Sequence, residues 1–392
     1  MSSEPGKPST GMPTIATGPA GEDAAEFLEK QAAKQQEASM ATAETAHQKE
    51  EPPIAEKTIE EPSAAGSKAV EKSEQPVSAP EETKAEEQTA PTGTTTSSSS
   101  SGPAWPETDA NHPLTQFFAS VEELTKTADY NEVYGITLSP ASPFQTKLIL
   151  QKFLRANSND LVKAKEQLLE TLKWRKEFDP VKAMSESYEK ERFEGLGYIV
   201  DVDGVPESVN SKDTVTFNIY GSVKDNKKTF GDLDGFLRWR VGLMERSVHK
   251  LGLPTADKPI PDFGEGLDPY QGFQVHDYLQ VSFIRMDPNA KAASKKTIET
   301  FQKYYPETLS RKFFVNVPVV MGWLFAAMKL FVAKETIKKF TVLSYGTDLV
   351  GELGKGIPSE YGGEKGLLKD VGEGVVLREG EQREIGDKYK DG

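Results

Sequence analysis

The feature of this sequence that most limits its fold is an apolar run within residues 304–340, YYPETLSRKFFVNVPVVMGWLFAAMKLFVAKETIKKF. Twelve of the fifteen residues at 318–332 are apolar, and Lys329 is their only charge. A helix over these fifteen residues is roughly 22 Å long. A helix that crosses a bilayer core needs ~20 residues, or about 30 Å, so this one is too short. The run therefore predicts either a buried core helix or a helix that lies on a lipid surface or covers an apolar cavity.

The first part of the chain has the composition of a disordered acidic tail. Residues 1–102 carry 18 Asp and Glu against 8 Lys and Arg, and Phe27 is their only aromatic residue. Such a segment buries too little apolar surface to offset its chain entropy, so we expect disorder over 1–104. It has no basic region followed by an apolar one, and a secretory signal is therefore not expected. A second charged tail is expected over 367–392.

The remaining residues hold about −4 of the total net charge of −14. This balance does not favour nucleic-acid binding. The chain has no cysteine, which excludes disulfides, zinc–thiolate sites, iron–sulfur clusters and a thiolate-ligated haem. A soluble cytoplasmic protein is the plain expectation.

Residues 113–180 predict a small helical subdomain. In NDLVKAKEQLLETLKWRKEF, Asn159 or Asp160 can cap a helix whose apolar residues follow helical spacing. These apolar residues are Leu161, Ala164, Leu168 and Leu172, with Leu148, Ile149 and Phe153 in the segment before. The pattern predicts no role for this subdomain beyond packing.

Residues 190–366 alternate short strands with helices, which predicts an α/β fold with a mostly parallel sheet and right-handed crossovers. The predicted strands are 214–220, 273–286, 313–317 and 340–345, and the predicted helices include 232–250 and 290–304. On the first strand, one face carries Val215, Phe217 and Ile219, and the other carries Thr216, Asn218 and Tyr220. Residues 251–272, rich in Pro, Gly and Asp, predict a loop without a readable role.

The predicted strand at 273–286 has a polar row on one face. His276 and Tyr278 are two residues apart and project to the same face, flanked by Gln274 and Gln280. The opposite face, which is expected to pack, carries Phe273, Val275, Leu279 and Val281, with Asp277 interrupting it. The polar row predicts either a solvated or hydrogen-bonded network, or one wall of a ligand cavity with an imidazole beside a phenol.

Arg240 falls within the apolar stripe of the predicted 232–250 helix. Arginine is seldom buried without an anionic partner, so a ligand carboxylate or phosphate is one expectation. A side chain that reaches past the stripe to water is the other. No dinucleotide-binding, P-loop or nucleophile-elbow signature is present.

Three segments together resemble the CRAL-TRIO, or Sec-fourteen-like, lipid-exchange family across residues 113–366: FLRANSNDLVKAKEQLLETLKWRKEF, YYPETLSRKFFVNVP and KKFTVLSYGTDLVGELGKGIPSEYGG. The resemblance implies a lipid pocket floored by the sheet and closed by a gating helix over 318–332. It also implies phosphatidylinositol headgroup contacts at Glu307, Thr336 and Lys339, whose side chains suit inositol hydroxyls and a phosphate. Asn157 departs from the family pattern, because FLRAN stands where the family has FLRAR and a basic headgroup contact.

The HDY triplet, the RWRVGLMERS helix and the acidic tail resemble one fungal branch of this family, the fifth Sec-fourteen homologue, which transfers phosphatidylinositol and binds haem. This resemblance implies ferric haem b in the pocket. The implied haem contacts are Tyr220, Arg240, His276, Tyr278 and Lys312. Tyr278 is the implied axial ligand of the iron, and Arg240 and Lys312 are the implied partners of the propionates.

The resemblance therefore implies a non-enzymatic protein that transfers phosphatidylinositol and holds ferric haem, linked to oxidant stress or haem handling. It implies peripheral contact with endoplasmic reticulum or microsomal membrane from the cytoplasm, and it leaves a dimer open. Two alternatives come from other classes of protein. One is a haem enzyme of the catalase or peroxidase type, since tyrosinate ligation also occurs in catalases. The other is an interaction scaffold that uses the acidic tail and has an empty pocket.

Overall fold

A computed structural model describes residues 102–281, 287–317 and 339–380 of the chain. Nearly all of the tail predicted over 1–104 therefore lies outside the described residues. The predicted gating helix over 318–332, the headgroup residue Thr336 and the end of the C-terminal tail also lie outside them.

Helices and short strands alternate along the described chain. Its helices, α1 to α11 in order, are Pro113–Ala119, Val121–Ala128, Pro143–Ala156, Leu161–Phe178, Pro180–Ser185, Lys190–Phe193, Asn226–Phe230, Leu233–Lys250, Pro288–Tyr304, Val350–Leu353 and Leu368–Val371. Its strands, β1 to β9, are Glu132–Val133, Ile136–Thr137, Ser187–Glu189, Gly197–Asp203, Lys212–Ile219, Gly272–Asp277, Leu309–Val315, Phe340–Val342 and Val376–Arg378. The predicted helices at 232–250 and 290–304 are confirmed as α8 and α9.

Strands β4 to β8 form a five-stranded sheet in the order β4-β5-β6-β7-β8. β4 runs antiparallel to β5, and the other three pairs are parallel. This confirms the predicted α/β fold with a mostly parallel sheet. The carboxyl ends of β5, β6 and β7 consequently meet at one edge, where open α/β sheets commonly hold ligands.

The two faces of this sheet differ in chemistry, as the alternation along β5 predicts. One face contributes to an apolar cluster made of Val215, Phe217, Val275, Phe313, Val315, Leu349, Leu353, Ile357 and Tyr361, among others. The other face carries buried polar side chains, among them Thr216, Asn218, Gln274 and His276. Thr216 Oγ1 lies 2.7 Å from Ser247 Oγ on α8, so this polar face lies towards α8.

The strand predicted at 273–286 is wrong in length, because β6 ends at Asp277. The Asp277 carboxylate accepts hydrogen bonds from the Leu279 backbone N–H (2.8 Å), the Asn316 amide (2.7 Å) and the Tyr361 hydroxyl (2.7 Å). The first of these bonds turns the chain, and Gln280 follows with φ of 65°. Leu279, expected on the packed face, is consequently 56% exposed. The strand predicted at 340–345 is also shorter, since β8 ends at Val342.

The predicted N-terminal helices are confirmed as α3 and α4. Asp160 caps α4 by accepting from the N–H groups of Val162 and Lys163, both at 3.1 Å. The apolar residues on the inner sides of these helices are completely buried: Leu148, Ile149, Phe153, Ala164, Leu168 and Leu172. No helix in the described part of the chain is long and apolar enough to span a bilayer.

Candidate functional site

Three of the implied haem contacts converge at the carboxyl edge of the sheet. Tyr220 lies one residue beyond β5, His276 lies near the end of β6, and Tyr278 lies one residue beyond β6. The Tyr220 hydroxyl is 2.6 Å from His276 Nδ1, and the rings of Tyr220 and Tyr278 have centroids 5.1 Å apart. Phe314 on β7 lies beside His276, with centroids 5.5 Å apart. The structure therefore places an imidazole and two phenols in one aromatic cluster.

The His276 ring is held as a neutral imidazole with one assigned tautomer. Burial lowers its pKa well below the usual range, and the charges of Lys312 and Arg240 lower it further. Burial raises the pKa of Tyr220 to about 12, so its hydroxyl keeps its proton and can donate to Nδ1. Gln274 Oε1 lies 3.4 Å from Nε2 and can only accept, so the ring proton is assigned to Nε2 and Nδ1 accepts from the Tyr220 hydroxyl.

Tyr278 is a buried phenol rather than a phenolate in the protein alone. Burial raises its pKa far above the ordinary value, and the charge of a Tyr220 phenolate would raise it further. Among the residues that the structure describes, no three His, Cys, Asp or Glu side chains group as metal ligands. The donors that the cluster itself offers are the hydroxyls of Tyr220 and Tyr278 and the His276 imidazole.

Arg240 projects from α8 into the protein interior. Its side chain is buried, and its guanidinium carbon lies 4.8 Å from the ring centroid of Phe301 on α9. The expectation that it reaches past the stripe to water is wrong, because Phe301 covers it. Its Nη1 is buried without a hydrogen-bond partner in the described part of the chain. Burial lowers the pKa of Arg240 to about 10, with no described carboxylate opposing the shift.

Lys312 brings a second cation to the same side of the sheet. It lies on β7, opposite Gln274 on β6, and its Nζ is 5.7 Å from the ring centroid of Phe340. Burial lowers the pKa of Lys312 to about 8, and the charge of Arg240 acts in the same direction. Both cations lower the pKa of His276, so the region is suited to an anion.

The implied headgroup residues form a second cluster, just before β7 and β8. Glu307 Oε1 lies 3.5 Å from Lys339 Nζ, and Glu307 Oε2 accepts from the Gln271 amide at 2.8 Å. Lys339 Nζ also donates to the Leu309 carbonyl at 2.9 Å. Arg155 Nε is 3.8 Å from Glu307 Oε2 and is buried without a hydrogen-bond partner among the described residues. The structure thus brings Glu307 and Lys339 together, whereas Thr336 lies outside the described residues.

Asn157 is engaged at the end of α3. Its amide donates to the Phe153 carbonyl at 2.9 Å and to Gln167 Oε1 at 2.6 Å. The residue that departs from the family pattern therefore serves as a helix cap and a bridge to α4.

Sequence reasoning did not identify Arg155 or Gln271 as members of the headgroup cluster. Arg155 is the arginine of FLRAN and could have been identified from the sequence, since it lies two residues before Asn157, which departs from the family pattern. Gln271 lies in the 251–272 loop and carries no signal of its own, because its partner is 36 residues away.

Both clusters lie in segments of the chain that match known protein families. The CRAL/TRIO domain matches residues 210–363, and the CRAL/TRIO N-terminal domain matches residues 113–170. The chain belongs to the CRAL/TRIO family. The aromatic cluster, Glu307 and Lys339 all fall within the first match, and Arg155 falls within the second.

Similar proteins come from several fungi. The phosphatidylinositol transfer protein SFH5 of Phaeosphaeria nodorum is 68% identical over 276 residues, which cover 70% of this chain and 83% of that protein. The protein of the same name from Sclerotinia sclerotiorum is 51% identical over 262 residues, 66% of this chain, and this chain spans 62% of its length. A crystal structure of Sfh5 matches with a TM-score of 0.56 and 32% identity, over 69% of this chain and 94% of that one. The resemblance to the CRAL-TRIO family seen in the sequence is thereby confirmed.

Proposed function

We propose that this protein binds phosphatidylinositol and transfers it between membranes. The observation that carries the proposal is the contact of Glu307 with Lys339 and Gln271 in a CRAL/TRIO fold. A carboxylate accepts hydrogen bonds from several ring hydroxyls, and an ammonium attracts a phosphodiester. The relatives named as phosphatidylinositol transfer proteins support the same ligand.

The experiment is transfer of labelled phosphatidylinositol from donor to acceptor vesicles by the full chain. We expect transfer by the wild-type protein and a clear loss in Glu307→Gln, which keeps the shape of the side chain but removes its charge. Glu364→Gln is a matched control, because Glu364 forms a comparable ion pair with Lys355 at an exposed position (2.8 Å). No transfer by the wild-type protein, or equal transfer by Glu307→Gln, would contradict the proposal.

We further propose that the aromatic cluster and its two cations bind ferric haem b. The fit rests on three observations: a buried Arg240 whose Nη1 lacks a partner among the described residues, a second cation at Lys312, and oxygen and nitrogen donors at the same edge. When bound, ferric haem supplies a hard metal centre and two carboxylates. Arg240 and Lys312 suit the carboxylates, and the Tyr278 oxygen suits the ferric ion.

The protein residues have separate roles in this proposal. Tyr278 is the oxygen donor to the metal, and Tyr220 holds the tautomer of His276 through its hydroxyl. The Phe314 ring lies beside both His276 and Tyr278 and shields them from water. The absorption spectrum of the purified protein, after equilibration with ferric haem, tests the proposal: a Soret band is expected, and its absence would contradict haem binding.

We also propose that the protein is a carrier and not an enzyme, located in the cytoplasm with peripheral association to endoplasmic reticulum membrane. The transfer-protein names of its relatives support the carrier role. The rival haem enzyme predicts peroxide turnover by the haem-loaded protein, and a scaffold predicts an empty pocket. Peroxide consumption by the haem-loaded protein therefore tests the enzyme alternative. Membrane fractionation under rising salt tests the peripheral association.

A further inference from the structure

The segment that carries Glu307 is held by the N-terminal subdomain at several points. The Tyr134 hydroxyl donates to the Tyr304 carbonyl at 2.8 Å. The Trp174 ring stacks on the Tyr304 ring with centroids 4.4 Å apart and an angle of 4°. Lys152 Nζ on α3 donates to the Glu307 carbonyl at 2.8 Å. The subdomain for which the sequence predicts only packing therefore fixes both ends of this segment.

Lys152 uses every hydrogen of its ammonium group. Besides the Glu307 carbonyl, it donates to Asp268 Oδ2 at 2.6 Å and to the Tyr270 carbonyl at 2.8 Å. The side chains of Lys152 and Asp268 are both completely buried. A buried ion pair is often no more stabilising than apolar residues of the same volume. Stability alone therefore does not account for a lysine at this position.

The backbone conformation of Glu307 explains why its carbonyl needs a partner such as Lys152. Its φ is 51°, in the left-handed region that non-glycine residues seldom adopt. Such a conformation persists only where neighbouring groups fix it. Lys152 fixes the carbonyl of Glu307, and the Gln271 amide reaches both that carbonyl (3.4 Å) and the carboxylate (2.8 Å).

We propose that Lys152 is a positioning residue for the headgroup site, which holds the Glu307 carbonyl and thereby orients its carboxylate towards Lys339. The inference rests on the proposed function. It also gives a role to the 251–272 loop, because Asp268, Tyr270 and Gln271 all belong to that loop. Arg155 fastens the same loop to α3 through the carbonyls of Pro261 (2.7 Å), Asp262 (2.9 Å) and Gly266 (3.0 Å).

The test compares the wild-type protein with Lys152→Met combined with Asp268→Asn. The two substitutions together leave no unpaired charge in the interior, and the asparagine retains the oxygen that accepts from the Tyr270 backbone N–H. Each protein is made with Glu307 and with Glu307→Gln, and all four are assayed for phosphatidylinositol transfer and for thermal unfolding.

Removal of Lys152 is expected to lower transfer roughly tenfold where Glu307 is present, the scale of coupling between residues in contact. In the Glu307→Gln background the same removal is expected to change transfer less than about twofold, because no carboxylate is left to orient. If transfer in the Glu307→Gln background is too slow to compare, the proteins are incubated with phosphatidylinositol-containing vesicles instead. The amount of phosphatidylinositol bound per protein then gives the same comparison.

Equal losses in the two backgrounds would overturn the positioning role while leaving the proposed function intact. Absence of transfer by the wild-type protein would overturn both. Should the doubly substituted protein fail to fold, Lys152→Gln with Asp268→Asn replaces it under the same criterion, since glutamine is shorter by one atom and still polar.

Discussion

The hydroxyl of Tyr220 lies 2.6 Å from Nδ1 of His276, although 56 residues separate them in the chain. Parallel pairing of β5 with β6 sets Asn218 opposite His276, which brings the residues just after β5 to the same edge. The contact fixes a neutral imidazole beside Tyr278, in a region where Arg240 and Lys312 make the potential positive. The edge thus combines neutral donors for a metal with cations for an anion.

Substitutions of Tyr278 and His276 should differ in their effect on haem binding. In Tyr278→Phe, loss of the donor oxygen is expected to remove most of the haem. In His276→Ala, the spectrum should shift and part of the haem should remain, because the neighbour of the ligand is lost and not the ligand. Haem titration followed at the Soret band measures both variants.

Tyr220→Phe is the matched control for these two variants, since it removes a phenol from the same cluster without removing the proposed ligand. It should retain haem and alter the spectrum. Full haem occupancy with an unaltered spectrum in Tyr278→Phe would reject Tyr278 and favour His276 as the ligand.

Lys312 should make the stability of the ligand-free protein depend on pH. Its pKa falls from 10.5 to about 8 on folding, so the folded state releases a proton that the unfolded state still binds between these values. The free energy of unfolding should therefore rise with pH across this window, by up to roughly 3 kcal/mol, since each pKa unit corresponds to about 1.4 kcal/mol. Denaturant unfolding between pH 7.5 and 10.5, with wild type compared to Lys312→Met, measures it.

The comparison with Lys312→Met removes the contributions of other titrating groups, which the two proteins share. The difference in unfolding free energy between them should change with pH over the window. A constant difference would show that Lys312 keeps an ordinary pKa in the folded protein.

Arg175 should be critical for stability. It joins α4 to α8 through Glu245 (2.7 Å) and also pairs with Glu132 (2.9 Å). Arg175→Met leaves Glu245 buried with only the Tyr305 hydroxyl as a donor within the described residues, 2.6 Å away. Such a change costs ~3–5 kcal/mol. Urea unfolding measures the loss.

Lys176→Met provides the control, because Lys176 neighbours Arg175 on α4 and its partner Asp129 is exposed. It should leave stability nearly unchanged. Comparable effects of the two substitutions would contradict the role given to the Arg175 ion pairs.

Local patterns in the sequence predicted the elements and the faces of the sheet. Alternation along β5 separated Val215 and Phe217 from Thr216 and Asn218, because one face of a strand differs from the other in chemistry. The end of β6 could not be predicted in this way. Asp277 ends it with partners from Asn316 and Tyr361, which are 39 and 84 residues away.

The same limit applies to the candidate site. The apolar stripe of α8 placed Arg240 on an inner face, but whether it reached water depended on Phe301, which comes from α9. Lys152 looked like an ordinary helix residue, since Asp268 and Glu307 are 116 and 155 residues away in sequence. Contacts between residues so far apart in sequence depend on the assembled fold, and no periodic pattern in the sequence predicts them.

The most direct test of the central claim is mass spectrometry of the lipids bound to the purified protein after incubation with mixed vesicles. Phosphatidylinositol should be the principal bound lipid in the wild-type protein and in the control Lys355→Ala. In Lys339→Ala its occupancy should fall roughly tenfold to a hundredfold, because a charge-assisted contact contributes ~1.5–3 kcal/mol. A different lipid class in the wild-type protein, or unchanged occupancy in Lys339→Ala, would contradict the account.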